Sequence, residues 1–370
     1  MIETEDRIQP ADREAMERAR DRWNAVSKPK DSLGKLEDIV VRIAGAMRTE
    51  NIDISRRVCV VFAADNGIVE EKISQSSQDL TAAVAMHIAG GCGNINTMAK
   101  ASSCDVLTVD VGILPIYMPV RPAAMIGLHV ADGTRNFLKG PAMSEAEAEQ
   151  AFLAGITMAD RISRDGYQIA AVGEMGIGNT TTSAAVTAAL CGLDPDAVTD
   201  RGGGLDDDGL ARKRDVVWRG LLVHGLLKDS RPVDDREFAF KVLRCVGGLD
   251  IAAIAGFCTG CARRRIPVVL DGIITAAAAL IAVRMEESVR DYLIASHLGR
   301  EKGIKALLKE LGLDHVLSAD LALGEGTGAV LLFPVLDVAV AEYRSALTFE
   351  QMGFATDYDA DDGIRVFTNK

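Results

Sequence analysis

The sequence is poor in aromatic residues, which make up only 5% of a chain that is 48% hydrophobic. The core must therefore be aliphatic and rich in alanine, which suits helices packed closely on a parallel sheet. Positive charge is also scarce, because 41 Lys and Arg face 53 Asp and Glu and give a net charge of −12. Bulk attraction to nucleic acid or to an anionic membrane is therefore not expected.

Long apolar runs are missing as well. No stretch of about 18 uncharged apolar residues occurs, and the run that begins at Ala276 is closed by Arg284, so no membrane span is predicted. The N-terminus is charged and lacks the apolar core of a secretory signal. Seven scattered cysteines are typical of reduced thiols and predict a cytoplasmic protein. The spacing of Cys258 and Cys261 has no second cysteine pair or histidine pair to complete a zinc site, so we expect both to pack inside a helix.

Several catalytic signatures are absent from the chain. The five histidines form no i,i+4 pair and no HExxH, and there is no Gly-x-Ser-x-Gly, so metal hydrolysis and the hydrolase elbow have no support. The chain has neither G-x-G-x-x-G nor a P-loop with its lysine. The acids 206–208 could bind a divalent metal, but they lack EF-hand spacing and equally suit the first turn of a helix near Asp208.

Fully apolar runs of strand length alternate with helical patterns along the chain. One such helix is predicted to begin at Ser144, with Glu147 completing a capping box and with Phe152, Ile156 and Ala159 on one face. Strands that are apolar throughout are typical of a parallel sheet covered on both faces. The predicted fold class is therefore α/β, a Rossmann-like parallel sheet with helices on both faces. The predicted strands are residues 58–64, 106–111, 168–172, 266–270, 292–295 and 316–323.

Polar residues and glycines follow nearly every predicted strand. In an open parallel sheet, ligands bind outside the carboxyl ends of the strands, so these groups are expected to meet at one edge. The groups in question are Asp65-Asn66-Gly67, Asp110 with Gly112, Glu174 with its glycines, Asp271-Gly272, Ser296-His297 and Gly324-Glu325-Gly326.

Two of these groups indicate specific chemistry. Glu325 lies between glycines, so its carboxylate has no bulky neighbour and a ligand can approach closely. The run from Gly176 to Ser183 offers backbone N–H groups and hydroxyls at the start of an Ala-rich helix, where a phosphate is favoured, although an N-capped helix after a tight turn is the simpler alternative. Together they predict a small-molecule enzyme with a phosphate site and a general base.

Polar helical patterns occupy the two chain ends. Residues 1–50 are predicted to form the N-terminal part of a small helical domain, and residues 51–335 the large α/β catalytic domain. Residues 336–370 are predicted to return to the small domain, with an amphipathic helix over 336–349 and a solvated acidic segment at 357–362.

Six motifs in a fixed order carry a resemblance to a known family. The chain resembles the nicotinate-nucleotide–dimethylbenzimidazole phosphoribosyltransferases from about Ser27 to Phe349. The motifs are Asp65-Asn66-Gly67, Gly173-Glu174-Met175-Gly176-Ile177-Gly178-Asn179-Thr180-Thr181, Asp200-Arg201-Gly202 with Leu210-Ala211-Arg212-Lys213-Arg214, Leu270-Asp271-Gly272, Ala295-Ser296-His297 and Leu323-Gly324-Glu325-Gly326-Thr327-Gly328.

The resemblance implies a homodimeric enzyme that needs no metal or redox cofactor. Its substrates would be nicotinate mononucleotide and an aromatic base, and its products the α-linked nucleotide 5′-phosphate, used in cobamide assembly, and nicotinate. Glu325 matches the family's general base, and Glu174 matches a second acidic position near the ribose. The implied phosphate- and ribose-binding residues are Gly176, Gly178, Asn179, Thr180, Thr181, Gly202, Lys213, Asp271 and Ser296. The implied aromatic-base pocket consists of Asn66, Ser77, Gln78, Met175 and Leu323.

The chain departs from the family pattern on the aromatic-base side. Asn66 replaces the usual histidine, and the 74–79 loop keeps Gln78 but lacks the usual tyrosine and proline. Lys30-Asp31 also replaces a Pro-Gly turn. We therefore expect the reaction type to hold while benzimidazoles, purines and phenols such as p-cresol stay open as the base. Two alternatives also stay open: a subunit of a heteromeric, phenol-activating homologue paired with a paralogue, and a non-catalytic nucleotide-binding paralogue.

Overall fold

One parallel sheet organises the protein. The computed structural model describes residues 8–227 and 235–353, and within these ranges six strands pair in the order β3-β2-β1-β4-β5-β6. Every pairing is parallel. The strands are β1 Arg57–Ala64, β2 Asp105–Gly112, β3 Ile126–Gly127, β4 Ile169–Met175, β5 Val268–Leu270 and β6 Leu293–Ala295.

Helices cover both faces of this sheet, as the apolar runs predict. Along β1, Val58 and Phe62 point into one apolar core while Cys59 and Val61 point into another, and all four are fully buried. The predicted fold class is therefore confirmed. The helices are α1 Arg13–Ala25, α2 Lys35–Met47, α3 Asp79–Ala89, α4 Asn94–Ala101, α5 Glu145–Arg164, α6 Asn179–Cys191, α7 Pro195–Val198, α8 Asp207–Val223, α9 Asp235–Val246, α10 Leu249–Arg263, α11 Ile273–Met285, α12 Ile304–Leu311 and α13 Thr327–Ser345.

Local sequence signals place several helices correctly. The capping box at α5 forms as predicted, with the Glu147 N–H donating to Ser144 Oγ at 3.2 Å and the Ser144 N–H donating to Glu147 Oε2 at 2.6 Å. Helix α8 begins within one residue of the predicted start. Cys258 and Cys261 lie fully buried inside α10, which confirms the packing interpretation.

The two chain ends pack against each other. The Trp23 and Tyr343 rings meet edge to face at 5.2 Å, and the Ser27 N–H donates to the Leu347 carbonyl at 2.9 Å. The division into 1–50, 51–335 and 336–370 stays a prediction, and position 335 falls inside the single helix α13, which begins nine residues before the predicted helix. The acidic segment at 357–362 lies outside the described residues. Among those that are described, no helix combines the length and apolar character needed to cross a lipid bilayer.

The predicted strand at 316–323 is wrong. Only Leu317 forms an isolated parallel bridge, to His297, and residues 318–320 are exposed. The apolar residues of this segment resemble a buried strand, but the segment lies over the edge of the sheet and does not pair within it. It leads instead into the loop that carries Glu325. The two-residue strand β3 was not predicted, because a strand this short has no periodic signal.

Strand order determines where a ligand binds. The sheet reverses its direction of growth between β1 and β4, which are direct neighbours. In doubly wound sheets, the helices diverge at this point and leave a crevice at the carboxyl ends of the strands. Asp65 follows β1 and Glu174 is the last residue but one of β4, so both lie at the crevice.

Candidate active site

A cavity of about 610 Å³ opens at the carboxyl edge of the sheet. Its walls come from residues 174–180 after β4, 271–275 after β5, 200–204 before α8 and 321–325 before α13. A volume of this size suits a mononucleotide with a second small ring. Three predicted site residues that are far apart in sequence, Glu174, Lys213 and Glu325, line this one cavity.

A second cavity, of about 710 Å³, lies between α1, α2 and β6. None of the predicted site residues lines it. Its charged side chains balance, four basic against four acidic, which gives no net attraction for a phosphate. They are Arg13, Arg20, Lys35 and Arg42 against Glu17, Asp38, Asp291 and Asp314.

The backbone around Glu325 is strained. Gly324, Glu325 and Gly326 have φ angles of 82°, 61° and 91°, so three consecutive residues adopt left-handed conformations. For glutamate this conformation costs about 1–3 kcal/mol, which surrounding contacts must offset. Thr327 contributes one such contact, since its hydroxyl donates to the Gly324 carbonyl at 2.7 Å. The strain turns the Glu325 side chain into the cavity at the point where α13 begins.

Asp271 supplies the other contacts that hold this loop. Its carboxylate accepts hydrogen bonds from the N–H groups of Gly326 at 3.2 Å, Gly328 at 2.7 Å and Ala329 at 3.1 Å. These N–H groups lie at the start of α13 and have no partner within the helix. Asp271 lines the cavity, as the resemblance implies, but the structure also gives it the task of anchoring the Glu325 loop.

The Glu325 carboxylate is held by the N-terminus of α4. The Ile95 N–H donates to Oε2 at 3.2 Å, and the Asn94 side-chain amide donates to Oε1 at 3.4 Å. Helix N-termini favour negative charge, and these two donors fix the direction in which the carboxylate points. Glu325 retains 7% exposure and reaches the cavity. Sequence reasoning missed Asn94 and Ile95 because they lie about 230 residues away.

Gly173 of β4 provides the space for Glu325. A Cβ atom at this position would lie 2.4 Å from both the carbonyl carbon and the carbonyl oxygen of Glu325. Backbone atoms cannot move aside cheaply, so we expect Gly173→Ala to shift the Glu325 loop and lower kcat about 100-fold. Gly90→Ala is the control, because its nearest neighbour would be 3.3 Å away, at the end of α3. Steady-state kinetics of both variants test this, and a Gly173→Ala enzyme with wild-type kcat would contradict it.

Glu174 is a buried acid on the floor of the cavity. Burial, and next the negative charge of Asp250, raise the pKa of Glu174 to about 8. Asn179 donates a hydrogen bond from its side-chain amide to Glu174 Oε2. At neutral pH, Glu174 is therefore largely protonated, while Glu325 lies beside two N–H donors. Within the described ranges, no group of three or more His, Cys, Asp or Glu is arranged to hold a metal ion.

Lys213 and the start of α6 form a separate polar corner of the cavity. Lys213 is 1% exposed, and its ammonium donates to Thr180 Oγ1 at 2.8 Å. A Cβ atom at Gly202 would come within 2.8 Å of that oxygen and 3.1 Å of the ammonium, which explains glycine there. Burial lowers the pKa of Lys213 to about 8. Gly178, with φ 97°, bends the chain into α6, so the helix N-terminus also faces this corner. The buried ammonium and the N-terminus of α6 together favour binding of an anion in this corner.

Two of the predicted phosphate and ribose residues lie behind the cavity wall. Ser296 is fully buried, and its hydroxyl donates to the Leu270 carbonyl at 2.6 Å. The adjacent His297 lines the cavity instead, with Nδ1 2.9 Å from Ser296 Oγ. Thr181 is likewise fully buried, whereas Thr180, one residue earlier, reaches the cavity. The structure therefore shows which side chains of these segments face the cavity, with Thr180 and His297 lining it and Thr181 and Ser296 behind it.

The apolar wall of the cavity differs from the predicted base pocket. Met175 and Leu323 line it as expected, joined by Leu80 and Val84 of α3, which sequence reasoning missed. Three predicted residues do not line the cavity. Ser77 is exposed, and its hydroxyl donates a hydrogen bond to the Asp79 carboxylate. The Gln78 side-chain amide donates from Nε2 to the Asn66 carbonyl at 3.3 Å. Asn66 is fully buried, and its side-chain amide lies 3.4 Å from the Ile177 carbonyl.

Comparison with known proteins identifies the family of the chain. A family model described as Phosphoribosyltransferase matches residues 8–354. A nicotinate-nucleotide–dimethylbenzimidazole phosphoribosyltransferase from Desulforudis audaxviator is 41% identical over 350 residues, 95% of this chain and 96% of that protein. The relative of the same name from Desulforamulus reducens is 39% identical over 354 residues, 95% of this chain and 98% of that protein.

A solved structure gives the same result for the fold. The crystal structure of CobT from Thermus thermophilus superposes with a TM-score of 0.85 at 39% sequence identity, covering 92% of this chain and 98% of that one. The chain therefore belongs to this phosphoribosyltransferase family.

Proposed function

We propose that the protein transfers the ribose 5-phosphate of nicotinate mononucleotide to an aromatic base and releases nicotinate. The observation that supports this most directly is that the Glu325 carboxylate and the Lys213 ammonium open into one cavity. The relatives' names specify dimethylbenzimidazole as the acceptor base. The reaction needs a proton acceptor for the nucleophile and a cation that binds the phosphate, and the cavity offers one group for each.

Glu325 serves as the general base. As the unprotonated ring nitrogen of an incoming benzimidazole attacks the ribose C1′, the proton on the other ring nitrogen becomes acidic and passes to the carboxylate. The bond from C1′ to the nicotinate nitrogen breaks, and the pyridinium becomes a neutral ring, which makes it a good leaving group. Attack from the face opposite nicotinate inverts the anomeric centre and gives the α-linked product. Most of the catalysis is then positioning of two rings about one sugar.

The polar corner holds the 5′-phosphate. The Lys213 ammonium supplies the charge, and Thr180 with the α6 N-terminus supplies further donors. A bound phosphate also adds a second anion to the Asp200 carboxylate, which acts on Lys213 without forming a salt bridge among the described residues. Binding energy from the phosphate, which does not react, can then orient C1′ toward Glu325.

The apolar wall accommodates the aromatic base. Met175, Leu80, Val84 and Leu323 present aliphatic and thioether surface, which suits a flat ring better than a charged one. We therefore propose a benzimidazole as the acceptor and retain purines and phenols as test compounds. A non-catalytic paralogue is disfavoured, because the strained loop that presents Glu325 would have no purpose if Glu325 took no part in proton transfer.

The assembly and location of the protein are further proposals. We propose a homodimer, with a paralogue heterodimer as the alternative. Exposed apolar side chains at Ile116 and Val120, 79% and 80% exposed, support an interface there. The seven cysteines all lie within the described residues and none forms a disulfide, which supports a reducing, cytoplasmic setting. Light scattering of the purified protein measures the oligomeric state.

One assay tests the proposed function. The purified protein is incubated alone with nicotinate mononucleotide and, in turn, 5,6-dimethylbenzimidazole, benzimidazole, adenine or p-cresol, and nicotinate release is followed together with nucleotide product. We expect release with the benzimidazoles. Release only with p-cresol and an added paralogue would favour the heteromeric alternative, and no release with any base would refute the proposal.

A further inference from the structure

Asp250 is a buried carboxylate directly behind the candidate active site. It is 0% exposed, lies in the first turn of α10, and does not line the cavity. Its Oδ1 accepts the N–H of Ile251 at 2.9 Å. Within residues 8–227 and 235–353, no cationic side chain lies within salt-bridge distance of it. Burying a carboxylate without a counter-charge costs free energy of folding, which indicates that Asp250 has a role beyond packing.

The side-chain amide of Asn179 connects Asp250 to Glu174. Its nitrogen donates both to Glu174 Oε2 and to Asp250 Oδ2, the latter at 3.1 Å. An amide nitrogen carries two hydrogens, so both are used. Gly176 permits this arrangement, because a Cβ there would lie 2.9 Å from Asp250 Oδ2. One amide therefore holds two carboxyl groups, one facing the cavity and one hidden behind it.

This connection determines the orientation of Glu174. Among the described residues, Asn179 is the only hydrogen-bond partner of the Glu174 carboxyl group, whose second oxygen lies close to Gly324, where a Cβ would be 2.8 Å from Oε1. An asparagine amide can rotate by half a turn and present oxygen in place of nitrogen. A carboxylate at 250 can only accept, so it fixes the rotation in which the Asn179 nitrogen faces both acids.

We propose that Asp250 is a positioning residue that acts through the Asn179 amide to hold the Glu174 carboxyl group in the cavity with one oxygen free for the substrate. The inference rests on the proposed function, because it concerns the ribose-facing acid of the same site. The competing explanation is that Asp250 only stabilises the N-terminus of α10, as an acid in a first turn commonly does.

Charge adds a measurable signature to this geometry. Asp250, Asp271 and Glu325 all face Glu174 and raise its pKa, whereas the Asn179 hydrogen bond lowers it. Asp65 in turn faces Asp250. Removing the Asp250 charge should therefore lower the Glu174 titration midpoint, by about one pH unit. Removing the Asn179 amide should raise it, so the two changes have opposite signs.

The first test follows Glu174 directly in the free protein. Carboxyl ¹³C resonances of protein labelled on glutamate are titrated by NMR, and the Glu174 resonance is assigned by its loss in Glu174→Gln. We expect a lower midpoint in Asp250→Asn and a higher one in Asn179→Ala. Glu37→Gln is the matched control, because Glu37 is another buried acid in a first helical turn, paired with Lys28 and remote from the site. It should leave the Glu174 midpoint unchanged.

The second test uses the kinetics of the same variants. Asp250→Asn should lower kcat about tenfold while KM for nicotinate mononucleotide stays within about twofold. Wild-type kcat together with a wild-type Glu174 midpoint in this variant would overturn the proposal, even if its Tm falls as in Glu37→Gln. Should Asp250→Asn not fold, an unshifted midpoint in Asn179→Ala is equally decisive against it. A wild-type protein inactive with every base would refute the proposed function alone, because the NMR titration needs no activity.

Discussion

Glu325→Gln is expected to lower kcat by about 10²–10⁴ while leaving the affinity for nicotinate mononucleotide unchanged. The substitution removes only the ability to take a proton. A glutamine keeps the side-chain length, and its amide oxygen can still accept the Ile95 N–H that now bonds to Oε2 at 3.2 Å. The strained loop and its anchor on Asp271 stay in place, so ground-state binding at the polar corner has no reason to change. Nicotinate release under saturating substrates gives kcat, and calorimetry gives the Kd.

A neighbouring acid offers a matched control for this experiment. Asp320 lies in the same segment, also has a positive φ, 50°, and is exposed, but it does not line the cavity. Asp320→Asn changes the charge of the loop by the same amount and should keep wild-type kcat. Equal losses of kcat in both variants would mean that Glu325 contributes only its negative charge to the electrostatic potential of the loop. A matching loss of mononucleotide affinity in Glu325→Gln would make its role structural.

The sheet was predictable because its signal is local. Residues 58–64 of β1 and 169–173 of β4 are continuous apolar runs that are buried throughout, whereas β2 keeps its signal despite Thr108 and Asp110. The glycines and acids after each strand located the crevice for the same reason. Glu325 stood out as an acid between glycines, and the structure shows why glycines are needed there: Gly324 and Gly326 are left-handed, and a Cβ at Gly326 would lie 2.6 Å from Cys59 Sγ.

The contacts that complete the site were not predictable, because they join residues that are remote in sequence. Asn94 reaches Glu325 across 231 positions, and Asp250 reaches Asn179 across 71. Neither residue has a distinctive local pattern: Asp250 reads as an ordinary first-turn acid, and Asn94 as an ordinary helix start. Only the packing of α4 and α10 against the ends of the strands turns them into partners of the cavity acids.

Side-chain direction is the other limit. A motif identifies a segment, but which residue faces the ligand depends on backbone angles of the loop. At the end of β6 the cavity receives His297 rather than Ser296, and along α6 it receives Thr180 rather than Thr181. The segment around the start of α3 shows the same limit, since Ser77 and Gln78 do not line the cavity whereas Leu80 and Val84, within α3, do.

Lys213→Met should weaken nicotinate mononucleotide binding by about 10²–10³, because a phosphate at the α6 N-terminus would lose the buried cation beside it. The same substitution should stabilise the free protein. The pKa of Lys213 is lowered from 10.5 to about 8 by burial, a difference equivalent to roughly 3 kcal/mol against folding at neutral pH. Losing the hydrogen bond to Thr180 offsets about 1 kcal/mol of the gain. Calorimetric titration with the mononucleotide and thermal unfolding without it measure the two effects.

The pH dependence of that stability difference identifies its cause. Below pH 8, Lys213 is charged in both the folded and the unfolded state, and the full cost of burying the charge is present. Between about pH 8 and 10.5 the unfolded chain binds more protons than the folded one, so wild-type stability rises with pH relative to Lys213→Met. The difference should therefore close before about pH 10.5, where the whole cost of burying the charge is gone. Arg212→Met, one residue earlier on α8 and exposed, should neither weaken binding nor show this closure. A constant difference in the free energy of unfolding between pH 7 and 10.5 would mean that methionine stabilises the protein by better packing. The idea that the free protein bears a cost for keeping a charged Lys213 ready for an anion would then be wrong.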